Sequence, residues 1–401
     1  MTARTIIYTG KGGVGKTSVA ACTARRSAAA GLRTLVISTD PAHSLSECLN
    51  AEFDADPVQI GDCLWGQEVK AQEEMERHWS AVQDWLGELF MERGVDRISA
   101  EELTVPPGMD ELFSLLRLQA HHQSGGWDAI IVDCAPTGET LRLLSFPDVA
   151  RWWIEKVFPI ERQILAAARP IARSLLDISL PSQAVFADIQ RLSQNLIAMN
   201  EILRDRKHCT IRLVMSPDKM VIGEAMRTFT YLNLYGYLTD AVIVNRLFPA
   251  GVGEYFADWR RVQEEHLQLV HSAFAPVPVL CAPYFEQEVV GAEMLDRLAD
   301  ALFEAHEAEA VLYDALTQEL IMSEDGARLR LALPFAQKGD ISLKKIGLEL
   351  IVGVDGQRRT IMLPPALAAL RPAAATFEDG ALEVTFDGKQ RSPRAEVGTE
   401  R

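Results

Sequence analysis

The stretch Gly10-Lys-Gly-Gly-Val-Gly-Lys-Thr-Ser18 constrains this chain more than any other. Glycines at 10, 12, 13 and 15 let a backbone bend around an anion and turn its N–H groups inward. Arg4-Thr-Ile-Ile-Tyr-Thr9 in front of them is apolar and β-branched, as a strand requires, and Lys16 to Ala30 behind them is an alanine-rich helix that stops at Gly31. Strand, loop and helix therefore follow in the order that aims N–H groups and the positive end of a helix at a phosphate. Gly10, Gly12, Gly13, Val14, Gly15 and Ser18 form the cradle, Lys16 meets the β- and γ-phosphates, and the Thr17 hydroxyl coordinates Mg²⁺. The expected ligands are ATP and Mg²⁺.

The rest of the first 310 residues repeats the pattern. Thr34-Leu-Val-Ile-Ser-Thr39 delivers Asp40, and Ala129-Ile-Ile-Val132 delivers Asp133. The runs 211–215, 241–244 and 277–280 read as further buried parallel strands, each followed by helical pattern. The fold class expected is α/β, a doubly wound, mostly parallel sheet with its ligand at the strand ends. Two long helical insertions, about 67–126 and 147–207, interrupt the alternation. The second carries Trp152, Trp153, Phe158, Ile164, Leu175, Val185 and Phe186. These side chains are either the core of a helical layer or a groove for an apolar client, and spacing alone supports both.

After an acidic, helical-looking connection (Glu304 to Glu324; linker 311–327) the pattern changes to alternation. Leu329, Leu331 and Leu333 share a face. Asp355-Gly356 and Asp379-Gly380 lie beside alternating runs and signal hairpins, so residues 328–388 form a small antiparallel β domain followed by a disordered tail at 389–401.

Composition excludes several classes. The 401 residues are 48 % hydrophobic, enough for one large α/β domain and a small second one. A net charge of −16 without a basic stripe argues against nucleic acid and anionic membrane surfaces as partners. Six cysteines, at 22, 48, 63, 134, 209 and 281, contain no C-x-x-C pair and fit the reduced thiols of a cytoplasmic protein. Neither a signal peptide nor an apolar run of 18 residues is present, so a soluble chain is expected.

ATP hydrolysis needs phosphate clamps, a metal and a carboxylate that orients water in line with the γ-phosphate. Asp40, in Asp-Pro-Ala-His-Ser44, is the expected water-orienting residue, with His43 a switch or packing residue. Asp133 is the expected carboxylate that, like Asp40, reaches Mg²⁺ through water. The turn after it, Cys134-Ala-Pro-Thr-Gly138, offers the Gly138 N–H to the γ-phosphate.

The stretches 9–18 (T-G-K-G-G-V-G-K-T-S), 38–45 (S-T-D-P-A-H-S-L), 127–144 (W-D-A-I-I-V-D-C-A-P-T-G-E-T-L-R-L-L) and 243–247 (I-V-N-R-L) together resemble the arsenite-pump ATPases and their relatives that target tail-anchored membrane proteins. The resemblance implies a signature lysine, Lys11, that reaches across a two-fold axis to the partner's nucleotide, and hence a homodimer. It implies that Asn245 reads the adenine edge, that the turn Pro283-Tyr284-Phe285 covers the ring, and that Asp40 and Asp133 belong to two switches. The chain departs from the family in having Glu139 where His is common and in lacking the C-x-x-C that holds zinc at the dimer interface of the eukaryotic targeting factors. A second fused ATPase half is also missing. The tail, with L-P-F at 333–335, R-R-T-I-M-L-P at 358–364 and F-E-D-G-A-L-E-V at 377–384, resembles the α-crystallin domain of small heat-shock proteins, a sandwich known for holding unfolded chains. The leading expectation is a homodimeric Mg²⁺-ATPase that binds or delivers hydrophobic client segments, with a membrane receptor or transporter left open. The alternatives are the motor of arsenite or antimonite export and a membrane- or DNA-partitioning ATPase.

Overall fold

The computed structural model describes residues 2–39, 44–70, 73–76, 80, 83–84, 87, 109–134, 183–315, 318–323, 326–334, 336–354, 357–363, 367 and 370–387. The chain divides into two compact units, Met1–Ala315 and Leu316–Arg401.

The first unit is built on an eight-stranded sheet of β1 (Arg4–Thr9), β2 (Thr34–Ser38), β3 (Val58–Gly61), β4 (Leu64–Glu68), β5 (Ala129–Asp133), β6 (Cys209–Met215), β7 (Thr239–Leu247) and β8 (Val279–Pro283). Their spatial order is β3-β4-β2-β5-β1-β6-β7-β8, and only β3 runs antiparallel. Strands β2, β5 and β6 are buried along their whole length, as parallel strands covered on both faces must be. Later strands build outward from β1 on both sides, which opens a crevice at its carboxyl end, where residues 10–15 lie. The mostly parallel α/β sheet expected from the sequence is therefore present. The β3–β4 hairpin was not foreseen, and it occupies the segment just before the first insertion.

Helix α1 (Lys16–Ala29) and α2 (Ser44–Leu49) flank this crevice. Small side chains on α1, Ala20, Ala21, Ala24 and Ala28, are buried in one core cluster with residues of α7 (Gly291–Phe303), a helix that packs on α1. The α7 stripe Met294, Leu295, Leu298, Ala299, Leu302 and Phe303 recurs at helical spacing and supplies the bulk that α1 lacks. Arg25–Asp296 and Arg26–Asp300 ion pairs line the rim of this contact. From the expected insertions the described residues give α3 (Met109–Ser124) and α4 (Gln183–Arg204), which pack on each other. Leu192, Leu196, Met199 and Leu203 form the buried face of α4. Residues 147–182, which hold Trp152, Trp153 and most of the candidate groove, lie outside the described residues. Helices α5 (Lys219–Tyr235) and α6 (Ala257–Phe274) connect β6, β7 and β8.

The second unit has two antiparallel sheets, β14-β15-β10-β9 and β11-β12-β13. Its strands are β9 (Gln318–Ser323), β10 (Gly326–Ala332), β11 (Ile341–Ile346), β12 (Glu349–Val354), β13 (Gln357–Met362), β14 (Arg371–Glu378) and β15 (Ala381–Asp387). Leu329, Leu331 and Leu333 are buried together with Leu350, Val352, Leu382, Val384 and Phe386. Asp379 and Gly380, with φ of 49° and 69°, make the two-residue turn between β14 and β15. One expectation needs correcting: the stretch expected to be a helical connection through Glu324 contains β9, whose backbone completes the edge beside β10. Strand β14 also went unread; it lies at a sheet edge, where its Pro372 is tolerated.

Candidate nucleotide site

Residues 10–15 leave β1 and enter α1 along a path that its glycines make possible. A Cβ on Gly10 would drive into the Val214 carbonyl of β6, so the loop passes close over the neighbouring strand. Gly13 and Gly15 have φ of 82° and 92°, in the left-handed region, and Gly15 caps α1. A Cβ added at Gly12 or Gly13 would meet nothing within 4 Å, so the loop is open to solvent there. Lys16, at the first position of α1, is 6 % exposed and donates to the Lys11 carbonyl at 3.4 Å. Its charge is thus folded back over the loop, where a phosphate would lie.

Thr17 Oγ1 lies 3.2 Å from Ser44 Oγ, the first residue of α2. Helix α2 is held in place by the buried Glu68 of β4, whose carboxylate accepts the Ser46 N–H at 2.9 Å. Asp133, fully buried, ends β5 in register with Tyr8 of β1 and Ser38 of β2. Its carbonyl accepts the Thr39 N–H at 2.9 Å, which fixes the last residue before Asp40. The donors gathered here are oxygens, the ligand type that Mg²⁺ prefers. The open glycine loop, Lys16 and these oxygens fit a nucleoside triphosphate with its metal. Asp40, His43, Gly138 and Glu139 lie outside the described residues.

Lys11 reaches sideways, its Nζ 3.5 Å from Glu224 of α5, and both side chains are partly exposed. On the far side of the loop, Asn245 near the end of β7 donates its Nδ2 to the Val14 carbonyl at 2.9 Å and accepts the Arg246 N–H at 2.9 Å. Arg246, at φ 63°, donates Nη1 to the Gly13 carbonyl at 2.8 Å. Pro283 ends β8 opposite Leu247. The next two residues of the turn part: Tyr284 stacks on Phe248, with centroids 5.8 Å apart, while Phe285 packs against the core with Arg297 over its ring. Phe248, Phe256 and the exposed Tyr255 extend Tyr284 into an aromatic ledge at these strand ends. The structure so brings Lys16, Thr17, Asn245 and Asp133 around one loop. It adds Ser44, Glu68 and Arg246, to which sequence reading gives no role, although Ser44 and Arg246 stand within the stretches 38–45 and 243–247.

A loop of this construction at the switch point of a parallel sheet defines a P-loop nucleotide hydrolase. Residues 3–304 match the family described as anion-transporting ATPase, and residues 324–386 match the HSP20-like domain found in those proteins; the chain belongs to the anion-transporting ATPase family and is an ATPase. It is 39 % identical over 391 residues, 96 % of each chain, to a protein of Chlorobaculum tepidum named "Putative arsenical pump-driving ATPase". A protein of Aquifex aeolicus, named "Putative arsenical pump-driving ATPase 1", is 34 % identical over 94 % of this chain and 98 % of its own. "ATPase GET3B" of Arabidopsis thaliana is 29 % identical over 73 % of this chain and 77 % of its own.

Proposed function

We propose that this ATPase works as a Mg²⁺-dependent homodimer that couples ATP binding and hydrolysis to the binding or delivery of hydrophobic client segments. The observation that carries the client half is the union of the two modules in one chain: an HSP20-like β domain follows the ATPase. The GET3B relative is consistent with such work. For the dimer, the support is Lys11. An exposed ion pair such as Lys11–Glu224 is worth at most about 1 kcal/mol, so it is a resting place that the lysine leaves when a second subunit's nucleotide is offered.

In this reading Lys16 and the loop N–H groups bind the phosphates, and Thr17 holds the metal, with Asp133 and Asp40 reaching it through water. Mg²⁺ neutralises charge that develops on the transferred phosphate. Asp40 orients the attacking water, and the Gly138 N–H senses whether a γ-phosphate is present. Asn245 keeps one N–H and one lone pair beyond its two bonds to the protein, the complement an adenine edge requires, and Tyr284 stands where the ring would be covered.

Asp40→Asn protein with ATP and Mg²⁺ is expected to capture a transmembrane peptide that the same protein with ADP does not retain. Equal capture in both states, or none, would remove the client from the reading. Wild-type turnover in Asp40→Asn would remove that carboxylate from its role. The names of the two bacterial relatives favour a second reading, arsenite or antimonite export. Against it, four of the six thiols are buried, burial pushes Cys48 up to about 11, and among the described residues no three ligating side chains converge. Metalloid-stimulated turnover that disappears on Cys→Ser substitution would establish the second reading.

A further inference from the structure

We propose that the Asn245–Arg246 corner at the end of β7 is a brace that sets the peptide orientation of the phosphate loop, with Arg246 a positioning residue for ATP hydrolysis. The argument starts from the planarity of the peptide unit. In a trans peptide the C=O of one residue and the N–H of the next point in opposite directions. Arg246 Nη1 holds the Gly13 carbonyl at 2.8 Å, so the Val14 N–H points away from β7. Asn245 Nδ2 holds the Val14 carbonyl at 2.9 Å, and the Gly15 N–H is turned away likewise. Two consecutive loop carbonyls are occupied by side chains of two consecutive residues. The N–H groups behind them are then committed to the phosphate before any nucleotide arrives. A loop of four glycines would otherwise sample many orientations, and ordering it would weaken binding.

The corner is itself built for the task. Arg246 sits at φ 63°, a left-handed conformation that a non-glycine residue adopts at a cost. The Arg246 N–H is bonded to Asn245 Oδ1 at 2.9 Å, which fixes the amide's orientation and leaves Nδ2 facing the loop. From α6, Gln263 donates to the Arg246 carbonyl at 3.3 Å and accepts the Phe248 N–H at 2.9 Å, so the backbone on both sides of Leu247 is held. Gly15 is shaped by the same contact, because a Cβ there would strike the Asn245 amide. A buried asparagine against the loop, a strained arginine beside it and a glutamine fastening the arginine's backbone make one device, and each part is explained by the orientation of two peptide units.

The test must separate an effect on phosphate binding from one on the base. Inorganic pyrophosphate, as a competitor of ATP, carries the phosphates without a base. Arg246→Gly removes the guanidinium while keeping the left-handed backbone accessible. It is expected to weaken ATP and pyrophosphate alike, by about fivefold, as loss of one such hydrogen bond implies. KM should rise more than kcat falls, and the thermal unfolding midpoint should stay at the wild-type value. Asn245→Asp, which keeps the acceptor for the Arg246 N–H but turns the donor facing Val14 into a charged acceptor, is expected to weaken pyrophosphate by at least tenfold. ATP weakened with pyrophosphate unchanged would show that the corner acts on the base, and unchanged binding of both would show that the loop keeps its orientation unaided. Either result overturns the proposal.

Discussion

At the scale of single residues, Gly15 carries two demands that Gly12 does not share. Its φ of 92° costs any L-residue about 1–2 kcal/mol, and a Cβ would displace the Asn245 amide from the Val14 carbonyl. Gly12 has neither constraint, since a Cβ there meets open space. Gly15→Ala is therefore expected to lower the unfolding midpoint and to weaken ATP binding at least tenfold, as a further lost hydrogen bond implies. Gly12→Ala should leave the midpoint unchanged, with any loss confined to the nucleotide. Calorimetric unfolding of both variants beside ATP titrations checks this, and an unshifted midpoint in Gly15→Ala would show that the Asn245 contact yields without strain. The motif names both glycines equally. It does not say which one is wedged against another strand, because that depends on what β7 brings alongside.

At the scale of elements, α3 is tied to the sheet through a histidine that must stay neutral. His121 Nε2 donates to Gln67 Oε1 of β4 at 2.6 Å, while its Nδ1 accepts the indole N–H of Trp127 at 3.4 Å. Its pKa is pushed down from 6.5 to about 4, chiefly by burial and in smaller part by Arg117, with Glu74 and Asp56 opposing. The folded state then binds fewer protons than the unfolded chain between these values, so the contribution is fully present above about pH 6.5 and is lost as pH falls toward 4. Burial shifts His122 in the same direction. Unfolding midpoints measured from pH 7.5 to 4 should decline, and His121→Gln should flatten part of that decline. An equal slope in the variant would mean that the decline comes from other groups. This contact also explains why β4 was unreadable. Leu64-Trp-Gly-Gln-Glu68 has Gln67 and Glu68 buried where a strand signal wants apolar side chains, and their partners come from α3 and α2. Strands β2 and β5 were legible because their runs Leu35 to Ile37 and Ala129 to Val132 are apolar and buried without a break.

At the scale of the whole molecule, the question is where the ATPase ends. The two family matches leave residues 305–323 between them unassigned, and the sequence reading ends the ATPase domain at 310 with a linker from 311 to 327. The structure sews the first part of the unassigned stretch into the ATPase unit with a fully buried arginine and a partly buried one. Arg212, fully buried beside Asp240, donates to the carbonyls of Ala308 and Ala310 at 2.7 and 2.9 Å. Arg4 donates to the Glu309 carbonyl at 2.7 Å, and the Leu312 N–H reaches Asp240 at 3.3 Å. An arginine within a buried strand gives no sign in the sequence that it serves a segment nearly a hundred positions on, so these bonds were not legible, although the expected ATPase span of 1–310 takes in the three carbonyls. A chain ending at Ala315 retains every one of these bonds, whereas one ending at His306 takes both carbonyl acceptors from the buried Arg212 guanidinium and the Glu309 carbonyl from Arg4. The 1–315 chain is expected to bind ATP as the full chain does. The 1–306 chain should be less stable by about 3 kcal/mol, the scale of losing hydrogen bonds to a buried charge. Denaturant unfolding of the two truncations decides the point: equal midpoints would mean that water replaces the carbonyls at no cost and that the ATPase closes before residue 306.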